Sequence, residues 1–226
     1  MPGADTAAIE ITAYSWVPPM ARGLVKDLRV RWTLEELGLP YRVRFYNRAV
    51  SGPEDRIPEQ PFGQVPCLVE GDVHMFESGA ICLWLAERSE VLMPRDEPGR
   101  ARVMSWAFAA LNSFEPFLLN YQMANVFDAD KPGAADYAPV TEQWLRGRLR
   151  LVSDALGAND WLTGQFTVAD ILMVHALLPL MKRGLPDMPD NLVAYANRGQ
   201  ARPAFQQALA DQMAGFTEAA LEPVPA

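Results

Sequence analysis

The sequence predicts an α/β plus all-α protein: an N-terminal domain of element order βαβ-ββα, followed by an all-helical C-terminal domain. Three observations predict it. Alternation of apolar and polar residues, the period of a strand, is confined to segments before Glu77. The stretch Met93–Gly99 holds two prolines and several charges, which suits a linker. Beyond it the apolar residues recur only at helical spacing. The expected domains are therefore 1–90 and 98–226, joined by 91–97.

Ile9-Glu10-Ile11-Thr12-Ala13-Tyr14 alternates and opens with β-branched residues, so it reads as a strand. Pro18 and Pro19 break it. From Gly23 to Leu37, Leu24, Leu28 and Trp32 follow helical spacing, Gly38 supplies the stop and Pro40 prevents resumption. Tyr41–Tyr46 is a second strand. The stretch 47–62, with its prolines, glycines and charges, reads as loop with a short helix at most. Val65–Val69 and Val73–Phe76, joined by Gly71-Asp72, form a hairpin. Ser78–Arg88 is an amphipathic helix. After the linker come a long aromatic-rich helix from Arg100 to about Asn125, helices Tyr137–Leu156 and Thr167–Met181, and shorter ones near Asn191–Asn197 and Pro203–Gly215. No repeat interrupts this order.

Half of the residues are hydrophobic and 21% are charged, an ordinary globular balance. With 20 basic and 28 acidic residues the net charge is −8, a field that repels nucleic acid. The two cysteines, Cys67 and Cys82, form no CxxC pair, and only His74 and His175 could join them, so neither a structural metal nor a disulfide framework is expected. They read as small buried hydrophobes. Met1–Thr6 has no basic start or apolar core of signal-peptide kind, and no apolar run approaches the ~20 residues of a membrane span. A cytoplasmic protein is expected.

The most specific chemistry lies in Gln60–Leu68 and, nine residues on, Glu77-Ser78 at a helix start. Pro66 opens a strand just after Val65 and suits a cis peptide, which would turn the backbone N–H and C=O of Val65 toward a cleft. An extended peptide-like ligand could pair with them as a pseudo-strand. Ser78 and the unpaired N–H groups of the first helical turn would hold a carboxylate at the positive end of the dipole. Glu77 beside it would meet an ammonium. Together they would read the two ends of an α-amino acid.

Gly63-Gln-Val-Pro-Cys-Leu68, Glu77-Ser-Gly-Ala-Ile81, Trp84-Leu-Ala-Glu87 and Leu34-Glu-Glu-Leu-Gly-Leu-Pro-Tyr41 resemble the glutathione transferase superfamily, cytosolic and bacterial-like in type. Gly164-Gln-Phe-Thr-Val-Ala-Asp170 resembles its buried capping motif, with Thr167 as N-cap and Asp170 returning to it. The resemblance runs from Ile9 to about Phe205. It implies a thioredoxin-like N-terminal domain, glutathione as co-substrate without metal, and a homodimer. Val65, preceding Pro66, would bind the cysteinyl backbone of glutathione. Glu77 and Ser78 would hold its γ-glutamyl end, and Gln64, just before Val65, would contact the ligand's backbone or its γ-glutamyl group. Asn47 or Arg48 would meet the glycine carboxylate.

The reaction implied is conjugation or reduction of a small hydrophobic electrophile by the glutathione thiolate. Family members activate that thiol with a Tyr, Ser or Cys near the end of the first strand or the start of the first helix. At the helix start this chain has Leu24, Val25 and Lys26 instead. Tyr14 and Ser15, at the end of the first strand, are the candidate catalytic hydroxyls, and Arg22 is a candidate charge. The electrophile is expected between the two domains, against the long helix with Trp106, Phe108, Phe114, Tyr121 and Met123 and the polar Asn112 and Glu115. The departure at the helix start leaves a second reading open: a binding or interaction protein of the same fold that does not turn over glutathione.

Overall fold

The computed structural model describes residues 6–47, 59–183 and 188–217. Strands β1 (Ile9–Trp16), β2 (Tyr41–Asn47), β3 (Cys67–Glu70) and β4 (Val73–Phe76) form one mixed sheet in the order β2-β1-β3-β4. β1 and β2 are parallel and the other pairs antiparallel. A parallel pair needs a crossover, and α1 (Asp27–Leu37) supplies it. β1 is central and covered on both faces: Ile11, Thr12 and Ala13 are all buried. Its one buried hydroxyl, Thr12 Oγ1, accepts from the Cys67 N–H at 2.7 Å.

β1 runs two residues past the expected Tyr14, with an irregular register between Tyr14 and Trp16. β3 begins two residues later than expected, because Pro66 has no N–H for the ladder. α1 starts four residues after the expected Gly23. That glycine has φ +78°, outside the helical region. At the other end Gly38 takes φ 63°, and Leu39 N–H reaches Leu34 O at 3.0 Å, closing the helix. α2 spans Ser78–Ala86.

The chain divides into two compact units, Met1–Ser89 with Ala201–Ala226, and Glu90–Gln200. The last helix, α8 (Pro203–Ala214), thus groups with the N-terminal unit, where a C-terminal domain 98–226 had been expected to keep it. The cause is its packing on α1. Phe205 meets Trp32 edge-on at 4.9 Å, and Arg202 pairs with both Glu36 carboxylate oxygens at 2.5 and 2.7 Å. Covered by α8 and α2, α1 is buried from Asp27 to Leu34.

In the second unit, α3 (Glu97–Phe108), a π-helical turn (Ala109–Phe114), α4 (Glu115–Gln122) and a second π-helical turn (Met123–Phe127) follow without a break. Pro116 explains the first widening, since it has no N–H for the Asn112 carbonyl and its ring crowds that oxygen. α5 (Ala134–Leu156), α6 (Val168–Arg183) and α7 (Asp190–Gln200) complete the unit. α6 is its core helix, buried from Val168 to Leu178. Leu92 and Met93, in the expected linker, are buried in this unit, and Leu92 O accepts from Val168 N–H at 3.1 Å.

The α6 cap differs from a reciprocal box. Asp170 accepts from the Thr167 N–H at 2.9 Å as expected, but the Thr167 hydroxyl donates to the same carboxylate, at 3.2 Å, and caps no backbone N–H in return.

Candidate functional site

The site is built at the carboxyl end of β1, where α/β folds gather ligands outside their sheets. β1 pairs with β3 through Ile11↔Leu68, and three further residues along that register set Tyr14 opposite Val65. Cys67 pairs with Phe76, so Val65 and Ser78 each lie two residues beyond one rung. Tyr14, Val65 and the start of α2 are thereby brought to one end of the sheet. The Val65–Pro66 bond is cis.

A cleft of about 270 Å³ opens there. Tyr14, Gln64 and Val65 line it, together with Val17, Pro18, Ala21, Leu24, Val25 and Lys26. Tyr14 and Val25 also pack on Val65 and Cys67. The Tyr14 hydroxyl donates to the Gly63 carbonyl at 3.3 Å, on the rim.

Ser15 is not brought to this cleft. Its hydroxyl donates to the Tyr46 carbonyl at 3.4 Å, and its own carbonyl accepts from Thr217 N–H at 2.9 Å. The register is irregular at this point, so the separation of the two candidate hydroxyls rests on these hydrogen bonds and not on strand alternation. Arg22 lies with its guanidinium 5.5 Å from the centre of the Phe216 ring and is not a lining residue.

Glu77 and Ser78 form the second part. Glu77 is the N-cap of α2 and Ser78 its first residue. Glu77 has φ 68°, the positive-φ residue that is not glycine among those described. Such a backbone costs about 1–3 kcal/mol and concentrates at functional sites. Its side chain is exposed, so core packing does not account for the conformation. Ser78 is buried, and Arg29, on α1 and fully buried, donates to its Oγ at 3.3 Å. A fixed cation thus stands behind a helix N-terminus, and both favour an anion in front.

Arg29 was missed by reasoning from sequence, as was the lining role of Leu24, Val25 and Lys26, which had been set aside for lacking a hydroxyl. The available signal was Leu28, Val30, Trp32 and Leu34 around it, apolar on both sides of the helix. A helix covered on both sides buries its arginines too. Arg48 lies outside the described residues, as does the side chain of Asn47.

Burial pushes the Cys67 thiol up and the Cys82 thiol up to about 11, so neither is a ready nucleophile. Among the described residues, no three His, Cys, Asp or Glu side chains gather as a metal site, and no helix is long and apolar enough to cross a membrane. On the long helix of the second unit, Phe114 is core, while Phe108 and Met123 are exposed.

A family profile described as glutathione S-transferase, N-terminal domain, matches residues 28–88. Glutathione S-transferase F11 of Arabidopsis thaliana is 31% identical over 159 residues, covering 66% of this chain and 74% of the relative. Glutathione S-transferase 3 of Zea mays is 29% identical over 198 residues, covering 81% and 88%. Among solved structures, Ure2p in complex with glutathione superposes with a TM-score of 0.77 at 20% identity, covering 92% of this chain and 95% of that one.

Proposed function

From the premise that the chain belongs to the glutathione S-transferase family, we propose that its β1 cleft binds glutathione and presents the thiolate to a small hydrophobic electrophile. The observation that carries this reading is the convergence of Tyr14, Gln64 and Val65 on one cleft, beside an α2 start backed by buried Arg29. Arg29 can only donate to Ser78, so the serine's own hydrogen is directed elsewhere and can meet the γ-glutamyl carboxylate. Glu77 would hold the ammonium of the same end. Val65 would pair its backbone with the cysteinyl residue, with Gln64 at its side.

The thiol of free glutathione titrates near pH 8.5, so only a few per cent is thiolate at neutral pH. The Tyr14 hydroxyl would leave the Gly63 carbonyl and donate to the sulfur, while the Lys26 ammonium and the amino end of α1 add favourable potential. The thiol proton passes to solvent. The sulfur lone pair then forms a carbon–sulfur bond, and the leaving group departs with the electrons of the bond that breaks. Val17, Pro18, Leu24 and Val25 give the cleft an apolar wall, which suits a hydrophobic electrophile. A homodimer belongs to the same reading and is read by light scattering.

A second reading, a glutathione-binding protein without turnover, is favoured by Leu24, Val25 and Lys26 standing where family members carry an activating hydroxyl or thiol. A glutathione-affinity column and a chromogenic chloroarene separate the two. Retention with turnover is expected. Retention alone selects the second reading, and no retention overturns both. Tyr14→Phe is expected to raise the apparent pKa of bound glutathione, followed by thiolate absorbance, by about one unit. An unchanged titration removes Tyr14 from the mechanism.

A further inference from the structure

The segment Val17–Lys26 walls the cleft with six of its lining residues, yet it has little regular structure. It holds a single 3-10 turn, Pro19–Ala21, and two prolines that bar it from the sheet. Its own backbone bonds are those of turns, with Val25 O accepting from Leu28 N–H at 3.0 Å, and the other end of the chain adds to them. Gln212, on α8 and 2% exposed, donates through Nε2 to Val25 O at 3.1 Å and to Asp27 Oδ1 at 2.7 Å. Both partners are oxygens, so the amide nitrogen has to face them. Asp27 is itself held by Arg31 Nε at 2.8 Å. Around this point Leu209 packs over Gly23, Phe216 lies beside Arg22 and Thr217 binds Ser15 O.

We propose that Gln212 is a positioning residue for the cleft: it fixes the backbone at Val25 and so sets the affinity for a ligand it does not touch. The affinity part rests on the cleft binding glutathione, as proposed above. When the wall occupies its binding geometry only part of the time, apparent affinity falls by that fraction. One hydrogen bond holds the wall at Val25 O and the other anchors Gln212 to the buried Asp27 carboxylate at the start of α1, so their loss is expected to weaken glutathione binding about tenfold.

The test compares Gln212→Met, which keeps the length and removes the donor, with Arg202→Gln, which releases the far end of α8 from Glu36. Hydrogen exchange of Val17–Lys26 in ligand-free protein, glutathione Kd by calorimetry and Tm are measured for each. Gln212→Met is expected to speed exchange in that segment and raise Kd, while Arg202→Gln lowers Tm and leaves Kd unchanged. Unchanged exchange in Gln212→Met overturns the proposal. So does a Kd that follows Tm alike in both variants, the mark of a merely structural role. If the unmodified chain binds no glutathione, the reading of the cleft fails, and the exchange comparison still decides whether Gln212 holds the wall. Should Gln212→Met not fold, Gln212→Asn, which keeps the amide but shortens its reach, is measured the same way.

Discussion

Asp170→Ala is expected to destabilise the protein by about 3–5 kcal/mol, seen as a large fall in the urea midpoint. The Asp170 carboxylate is fully buried and accepts from Leu162 N–H at 3.0 Å, Thr167 N–H at 2.9 Å, the Thr167 hydroxyl at 3.2 Å and the Tyr195 hydroxyl at 2.9 Å. Burial pushes this carboxyl above the usual range, against the pull of its donors. Alanine removes every acceptor at once. Each buried donor left without a partner costs about 1–3 kcal/mol, and the two backbone N–H groups have no rotamer with which to escape. Thr167→Ala removes one donor and leaves the carboxylate with its other three, so it is expected to cost about 1 kcal/mol. Equal losses in the two variants would mean that the carboxylate is not the centre of this network.

That network was only partly legible in sequence. The spacing of Thr167 and Asp170 predicts a cap, because both partners lie within one turn of chain. It could not predict Leu162, on the preceding loop, or Tyr195, a helix away, since those meetings are decided by packing. The same distinction runs through the fold. β1, β2, the hairpin and α2 were legible from alternation, breakers and capping residues, all of them local. Placement of α8 with α1 was not, because Phe205 and Arg202 carry no mark of which helix they will meet. Leu92 and Met93 were read through the prolines and charges around them, and their own side chains, buried in the second unit, outweighed that context.

Among the candidate site residues, those expected to act through backbone were easiest to read. Val65 is marked by the proline after it, and the α2 start by Ser78 and a helical pattern. The hydroxyls were harder, because strand parity does not decide between Tyr14 and Ser15 where β1 turns irregular after Tyr14. Arg29 was hardest. An arginine on a helix usually reads as solvated, and only the covering of α1 on both sides brings this one against Ser78 at the α2 start.

Ser78→Ala is expected to raise the glutathione Kd by about 10–100-fold, the range for a hydrogen bond to a charged group. The helix N-terminus remains while Arg29 loses its Ser78 acceptor, so the loss reports the hydroxyl together with its bond to Arg29, and an unchanged Kd would move the γ-glutamyl carboxylate elsewhere. Glu77 permits a sharper test, because its backbone and side chain make opposite demands. Its φ of 68° is strained for glutamate and less strained for glycine, which has no Cβ. Glu77→Gly should therefore raise stability by about 1 kcal/mol while weakening glutathione binding through the lost carboxylate. Glu77→Gln keeps the strain and loses only the charge, so it should weaken binding without the stability gain. If Glu77→Gly gains stability and binds as before, the strained backbone serves the turn into α2 alone, and the ammonium must find its carboxylate in another residue.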